Sequence, residues 1–368
     1  MPIRKIIVPD YYNEFKCKCG ACRSSCCMGW RVTISYAEYC RLLGAQCKKD
    51  IRSKLDCALI PLSNATKERY AEIKHNYLGL CSMYRSDGLC SLHASCGEES
   101  LPAICRLYPR SLFMDGLDTG ACANSCEAVV ELLLNKQEPI SFTEIQLYTT
   151  TEILPQTDNQ ELLLDLERKT ILLLSDRSLP LDERLLTVGR LLSKYATVPT
   201  QTNNLTTPTD KQNNIEFLFS LATVMSEYSD AFRVLYSSLI KRAGIDEGNI
   251  TKELSICKPQ LLANFPDYER YLEQLLNNHL LYERFPYSIL NNNIWKEYVS
   301  LCGVYTILKL LTSILCCRTT NKDDLVDLIS ALFRCLEHSN ACEILASHLC
   351  NHGKSDINSL YELYHLIN

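Results

Sequence analysis

Cysteine residues are concentrated in the first third of this sequence, and thiols can bind metals, form disulfides or carry redox chemistry. Five of them fall in the eleven-residue segment CKCGACRSSCC, which begins at Cys17 and ends at Cys27. The chain of 368 residues has 21 cysteines, and fourteen of them stand at or before Cys126. Secreted disulfide scaffolds are usually short and have an even cysteine count. The pattern therefore favours metal ligands over disulfides.

Four cysteines of this segment have the spacing C-x4-C-x3-C-C, which predicts a loop that wraps around a small centre. An iron–sulfur cluster takes four thiolates from scattered positions, whereas structural zinc prefers paired C-x2-C ligands. Cys19 and Cys22 form one such pair, and a second pair at standard spacing is missing. The spacing thus favours a cluster and leaves zinc as the alternative. The candidate ligands, from this loop and from later turns, are Cys17, Cys22, Cys26, Cys27, Cys81, Cys90, Cys105 and Cys126.

The elements that would position these thiols are expected to be short. Irregular segments over residues 1–135 predict a small Cys-rich metal-binding domain whose fold depends on its metal centre, with short helical pieces at Ser35–Leu43 and Thr66–Ile73. Apolar residues at helical spacing then predict an all-α helical bundle over residues 136–368. A tract rich in Thr, Asn, Pro and Gln predicts a loop or linker near 196–214. The predicted fold class is mainly α.

Composition and charge narrow the function classes. The chain is 46% hydrophobic and 22% charged, which is typical of a globular protein. Residues 1–126 carry 17 Lys and Arg against 12 Asp and Glu, while the remainder carries 21 against 31. The excess of acidic residues after residue 126 argues against a nucleic-acid groove. No uninterrupted apolar run reaches the ~18 residues of a membrane span, and the first residues lack the apolar core of a secretory signal. We therefore expect a cytoplasmic protein with neither nucleic acid nor membrane as a partner.

Three segments stand in fixed order over residues 9–135: FKCKCGACRSSCCMGWRVTI, CSMYRSDGLCSLHASCGEESLPAICRLYPRS and ACANSCEAVVELLL. With LEQLLNNHLLYERFPYS in the second half, this series resembles the flagellin lysine-N-methylase (FliB) family, whose cysteine signature is shared by YkgJ-like metal-chelating proteins. The resemblance implies an enzyme of the bacterial flagellum system that transfers methyl groups from S-adenosylmethionine to flagellin lysines. It also implies a [4Fe-4S] cluster held by some of the eight cysteines named above.

Methyl transfer to lysine has its own requirements. No G-x-G motif occurs in the chain, so the common dinucleotide-type turn is not predicted as the donor site. The amine, with a pKa near ~10.4, must lose a proton before it attacks. Candidate residues near the cysteine motifs are Tyr108, Glu98, Arg106 and Arg110, the arginines as partners of a carboxylate or of the cluster. Surface or packing roles are the competing interpretation. Trp30 is expected to cover the metal centre by apolar packing.

Two other functions are open from the residues alone. A non-enzymatic zinc- or iron-binding protein would use the helical bundle as a docking surface. An iron–sulfur redox protein would use the cluster for electron transfer. Visible absorption separates a cluster from colourless zinc, and the mass of flagellin separates an enzyme from a binding protein.

Overall fold

The computed structural model describes residues 3–28, 32–148, 158–199, 208–227, 230–245, 259–286 and 293–367. Helices predominate in these ranges, so the mainly α fold class is confirmed. The strands of the described residues all lie before residue 149. The predicted cover by Trp30 lies outside the described residues.

The strands are β1 (Ile3–Pro9), β2 (Val32–Ile34), β3 (Leu59–Pro61), β4 (Ala71–Ile73), β5 (Arg110–Phe113), β6 (Thr119–Cys122) and β7 (Phe142–Tyr148). The first helices are α1 (Tyr36–Leu43), α2 (Lys49–Ala58), α3 (Ser91–Cys96), α4 (Ala103–Leu107), α5 (Glu127–Asn135), α6 (Asp158–Leu174) and α7 (Leu181–Leu192). The later helices are α8 (Pro208–Ser226), α9 (Asp230–Ala243), α10 (Tyr268–Glu283), α11 (Ile294–Cys316), α12 (Lys322–Glu337), α13 (Ala341–Asn351) and α14 (Ile357–His365).

The chain divides into two compact units. Lys16–Pro109 form the cysteine-rich unit, and Met1–Phe15 with Arg110–Asn368 form the helical unit. The N-terminal residues belong to the helical unit because β1 pairs along its length with β7, antiparallel, and with β6, parallel. The predicted boundary at residue 135 coincides with neither limit, since pairing between strands far apart in the chain leaves no local signal in composition.

The cysteine-rich unit contains a three-stranded antiparallel sheet of order β2-β4-β3. Its core is small and includes Ile34, Leu42, Leu55 and Met83. The predicted helix over Thr66–Ile73 is wrong, because its last three residues form β4. Ala71 and Ile73 pair with residues of both neighbouring strands. Both are buried, because alternate residues of a strand point to the same face of the sheet.

The helical unit is built around α11, whose residues are almost all buried. By length and composition alone this helix could cross a membrane, and its most apolar stretch is entirely buried within the protein. A four-stranded sheet of order β5-β6-β1-β7 also belongs to this unit. Among the described residues of the predicted helical domain over 136–368, β7 at Phe142–Tyr148 is the one strand.

Two helical predictions need correction at their ends. The pattern over residues 261–285 predicts one helix, but the helix through residues 259–264 ends before Pro266, which interrupts the backbone hydrogen bonds of a helix, and α10 begins at Tyr268. The polar tract near 196–214 is not loop throughout, since α8 begins at Pro208, where proline is tolerated in a first helical turn. Residues 200–207 of that tract lie outside the described residues.

A buried carboxylate ties α10 to α7 and to the turn before it. Glu273 is 1% exposed and accepts hydrogen bonds from Arg177 Nη2 at 2.8 Å and from Arg184 Nη1 at 2.7 Å. Arg184 is 4% exposed and also donates to the Leu174 carbonyl oxygen at 3.0 Å. A charge removed from water in this way is tolerated because its partners are charged and well placed.

We predict that Glu273→Gln lowers the free energy of unfolding by about 3–5 kcal/mol, because it leaves the buried Arg184 guanidinium with only the exposed Glu269 as a counter-charge. The matched control is Glu269→Gln. Glu269 lies on the same helix and pairs with the same arginine, but it is 51% exposed, and exposed pairs contribute about 0–1 kcal/mol. Urea unfolding of both variants checks the difference, and equal losses would contradict it.

Candidate functional site

Four of the eight predicted thiols lie together in the cysteine-rich unit. The thiolate forms of Cys27, Cys81 and Cys90 all disfavour ionisation of Cys105. Cys27 and Cys90 likewise raise the pKa of Cys81, and Cys27 raises that of Cys90. These effects link the four sulfurs as one group, which we call the thiol cluster.

Short backbone contacts position three members of the thiol cluster. The amide of Cys81 donates to the carbonyl oxygen of Cys27 at 2.9 Å, so the first cysteine loop lies against the start of the second motif. The chain then turns through SDGL, and Tyr84 and Cys90 form an antiparallel bridge. The amide of Ser91 donates to the Met83 carbonyl oxygen at 2.7 Å. This tight turn places Cys81 and Cys90 near each other although nine positions separate them.

Two glycines hold the first cysteine loop against this turn. A Cβ atom on Gly20 would stand 2.3 Å from the carbonyl oxygen of Asp87, and one on Gly88 would stand 2.6 Å from the Gly20 Cα. Gly88 also has a φ of +81°, which favours glycine. The loop between Cys19 and Cys22 can therefore approach the turn before Cys90 only because neither glycine has a side chain.

The fourth member, Cys105, lies on α4, which α1 holds in place. Glu38 accepts hydrogen bonds from the amide of Ser35 at 2.9 Å and from the amide of Ala103, at the start of α4, at 2.7 Å. Arg41 donates to the carbonyl oxygens of Glu99 and Leu101 at 2.8 Å each. Sequence reasoning missed Glu38 and Arg41 as positioning residues. The capping-box pattern SYAE at Ser35 could have identified Glu38.

The electrostatics of the thiol cluster favour protons on three of its sulfurs. Burial, reinforced by the other thiolates, raises the pKa of Cys81 to about 11 and also raises the pKa of Cys90 and of Cys105. Cys105 as a residue is exposed, but its sulfur is surrounded by enough protein for burial to be the leading cause. Cys27 differs, because hydrogen bonds from Cys26 and Ser25 outweigh burial and lower its pKa to about 7.

The donor set fits a centre bound by thiolates. Four thiols from four separate segments match the ligand number of an iron–sulfur cluster, and a bound cation would reverse the mutual repulsion that now favours protonation. Within the described ranges, no three His, Cys, Asp or Glu side chains are arranged so that they could hold a metal ion. The four thiols therefore match an iron–sulfur cluster in the type and number of their donor atoms.

The other four predicted ligands are exposed, half-buried or part of the helical unit. Cys17 is exposed and its sulfur accepts a hydrogen bond from the amide of Cys19 at 3.3 Å. Cys22 is half-buried, and Cys26 is exposed and contacts Cys27. Cys126 belongs to the helical unit, where it precedes the first turn of α5. Their role as ligands stays a prediction.

The candidate catalytic residues fall on both units. In the cysteine-rich unit Glu98 is exposed, Tyr108 ends α4, and Arg106 pairs with the exposed Glu99 at 2.8 Å. In the helical unit the Arg110 guanidinium lies 4.8 Å from the centre of the Phe15 ring and donates to the Phe15 carbonyl oxygen at 3.1 Å. These contacts hold the chain at the start of β5, and the assignment of any of the four to catalysis stays a prediction.

The helical unit contains a cavity of about 620 Å³ whose charged groups are paired. Asp182 accepts hydrogen bonds from the Tyr305 hydroxyl at 2.6 Å and from Lys309 Nζ at 2.8 Å. The Tyr361 hydroxyl donates to Glu183 at 2.6 Å. Polar groups that have hydrogen-bond partners in this way are expected in a network that stabilises the fold.

A second cavity of the helical unit, of about 200 Å³, has an excess of carboxyl groups, and we call it the acidic cavity. Its polar lining includes His279, Glu283, Glu297, Ser300 and Glu343. Burial raises the pKa of Glu283 to about 7; His279 opposes this rise, and the carboxylates of Glu337 and Glu297 add to it. Sequence reasoning missed these residues, because a glutamate inside a long helix has the same pattern whether it faces solvent or a cavity.

Glu337 stands beside the acidic cavity and is held by backbone donors. Its two carboxylate oxygens accept hydrogen bonds from the amides of Asn124 at 3.2 Å and Ser125 at 3.0 Å. Burial nevertheless raises its pKa to about 8. The Ser125 hydroxyl lies 2.7 Å from Nε2 of His338, whose pKa burial lowers to about 4. Near neutral pH this region therefore favours neutral forms of acid and histidine alike.

The raised pKa of Glu283 predicts how stability changes with pH. The folded protein binds this proton more tightly than the unfolded chain, so the stabilisation is complete below about pH 4.5 and is lost as the pH rises through about 7. Glu283→Gln cannot ionise and escapes the loss. We predict that the variant gains about 1–3 kcal/mol relative to the wild type between pH 5 and pH 8 in urea unfolding. A constant difference across that range would contradict the prediction.

Comparison with known proteins identifies the family. A family model described as the FliB lysine N-methylase C-terminal domain matches residues 168–366, which is more than half of the chain and lies within the helical unit. Searches of curated proteins and of solved structures found no match. The match includes the acidic cavity and the helices around it. On this evidence the chain belongs to the FliB lysine N-methylase family.

Proposed function

We propose that this protein is a protein-lysine N-methyltransferase that transfers methyl groups from S-adenosylmethionine to flagellin lysines in the cytoplasm, and that it depends on an iron–sulfur cluster. The observation that carries the proposal is the convergence of Cys27, Cys81, Cys90 and Cys105 in a chain of the FliB family. Donor, acceptor and location come from the resemblance of the cysteine motifs, which the family match over residues 168–366 does not include.

The thiol cluster supplies the proposed ligands. Its members come singly from the first loop, from both ends of the SDGL turn and from α4, and none forms a C-x2-C pair with another. Structural zinc sites prefer such pairs, whereas [4Fe-4S] clusters take four separate thiolates. Four thiolates would occupy all four irons of such a cluster, so ligation of the methyl donor's amino and carboxyl groups by iron would require one of the four cysteines to leave its iron.

The chain's own part is to bring the four sulfurs together and to release their protons. The Cys27–Cys81 backbone hydrogen bond, the Gly20–Gly88 approach and the hold of α1 on α4 fix the segments that carry them. The core of this unit is small, and small cores often need a metal centre for stability. We therefore expect folding of residues 16–109 to be linked to the cluster.

Metal analysis of anaerobically purified protein tests the ligand assignment. We predict iron and acid-labile sulfide in the wild type and loss of most of both in Cys105→Ser, because a hydroxyl replaces a thiolate ligand. The matched control is Cys57→Ser, since Cys57 is an exposed thiol of the same unit on α2. Cys17→Ser should also keep its iron.

Two results would contradict the assignment. Zinc without iron in a colourless wild type would replace the cluster by a structural metal site. Full iron content in Cys105→Ser, together with loss in Cys17→Ser, would move the centre to other cysteines. Circular dichroism of each variant shows whether loss of iron accompanies loss of structure.

The methylase activity is tested with purified protein, purified unmodified flagellin and S-adenosylmethionine that carries a deuterated methyl group. We predict mass increments of one or more deuterated methyl groups on flagellin lysines, because the donor's methyl is the group that is transferred. Cys57→Ser should give the same product, and Cys105→Ser should give little. Flagellin of unchanged mass with the iron-loaded wild type would refute the proposed function and leave a binding or redox role.

A further inference from the structure

The acidic cavity has the walls of a site for an alkyl chain. Leu280, Phe285, Leu301 and Leu336 line it together with its carboxyl groups. Its volume of about 200 Å³ is below the ~300–1,000 Å³ of typical small-molecule sites, so one side chain suits it better than a nucleoside. The cavity lies wholly within the helical unit.

The charges around the acidic cavity do not balance. Glu283, Glu297 and Glu343 line it, and no lysine or arginine is present among the described residues of the lining. Lys296 approaches from outside the lining and pairs with the partly exposed Glu343 at 3.4 Å. The described residues provide Glu283 with no hydrogen bond or ion pair, although Glu337 and Glu297 repel its charge. A cation inside the cavity would relieve this repulsion.

A second observation points to a ligand independently of the acids. His279 is 4% exposed and lines the acidic cavity, yet its Nδ1 atom has no hydrogen-bond partner. The nearest acidic oxygen, Oε1 of Glu337, lies 3.6 Å from this nitrogen, beyond hydrogen-bond range. Buried polar atoms are nearly always satisfied, so an orphaned nitrogen in a side chain that lines the cavity indicates a missing polar partner. Burial lowers the pKa of His279, which keeps the ring neutral and able to accept a hydrogen bond.

Resting on the function proposed above, we infer that the acidic cavity receives the ε-ammonium group and methylene stem of the lysine that is to be methylated. The ammonium group has three donors and no acceptor, which suits the carboxyl groups of Glu283 and Glu297 and the free nitrogen of His279. The leucines and Phe285 would contact the methylene groups, and a ring face attracts a nearby cation.

Other ligands suit this cavity less well. An anion would meet three carboxyl groups without a basic residue in the described lining. A metal ion needs ligands arranged around one point, which no three acidic, cysteine or histidine side chains of the described residues provide. An alkylammonium ion needs carboxyl groups that can ionise beside it and apolar contacts for its chain, and the lining offers both.

The test uses n-butylammonium, which reproduces the lysine side chain, with 1-butanol as the neutral probe of similar shape. Calorimetric titration of the full-length protein should show binding of n-butylammonium and at least tenfold weaker binding of 1-butanol. Glu283→Gln should weaken n-butylammonium binding at least tenfold. The matched control is Glu227→Gln, which makes the same change on an exposed carboxyl group outside the cavity, and it should bind as the wild type does.

Flagellin methylation separates a lysine of a protein from a free amine as the occupant. Glu283→Gln should lower kcat/KM for flagellin at least tenfold, and n-butylammonium should compete with flagellin in the wild type. Binding of n-butylammonium without competition would mean that the cavity takes free amines, and this would overturn the inference. Glu283→Gln with wild-type affinity and rate would also overturn it.

The two proposals fail in distinguishable ways. If the wild type methylates flagellin but the acidic cavity does not bind n-butylammonium, the lysine site lies elsewhere and the proposed function stands. If flagellin is never modified, the proposed function fails, and the inference about its acceptor lysine fails with it, whatever the titration shows. The stability of Glu283→Gln at pH 8 shows that an effect on binding does not come from unfolding.

Discussion

The burial of four thiols that repel one another when they ionise is the constraint on which the cysteine-rich unit depends. Burial raises the pKa of Cys81, Cys90 and Cys105, the thiolate of Cys27 adds to each rise, and the small apolar core offers limited compensation. Such an arrangement has two stable forms, one with protons on most sulfurs and one with a cation among them. In the first form, the backbone contacts that bring these segments together position only four weakly polar thiols. The second form gives a reason for the Gly20–Gly88 approach and for the capping of α4 by Glu38.

The helical unit shows which buried charges serve structure. Glu273 lies between two arginines, and Asp182 lies among a tyrosine and a lysine, so each carboxylate has partners that replace water. Glu283 and His279 lie in the same unit without such partners among the described residues. Unsatisfied buried polar groups reduce stability by about 1–3 kcal/mol each and persist where another role requires them. The contrast marks the acidic cavity as the place where this unit accepts a loss of stability.

Apolar residues at helical spacing predicted the helical bundle, because the core uses these residues directly in α6, α7, α11, α12 and α13. They predicted neither sheet, because β1 pairs with strands more than a hundred residues away and β4 is only three residues long. Pro266 could have predicted the start of α10 from the sequence, because proline interrupts the hydrogen bonds of a helix. The thiol cluster lies within the eight predicted cysteines, but only the three-dimensional contacts separate these four from Cys17 or Cys126.

The acidic cavity shows why a group of buried acids can be invisible in sequence and clear in structure. Its acids come from α10, α11 and α13, at positions where a surface glutamate would have the same sequence pattern. Only the structure shows that they converge on one small cavity. A lysine amine carries its charge into any site it enters, since its pKa is near ~10.4. A methylase must therefore hold an ammonium group away from water before the amine can react. Carboxyl groups that repel one another when they ionise can bind such a charge, because its arrival offsets their repulsion as well as adding attraction.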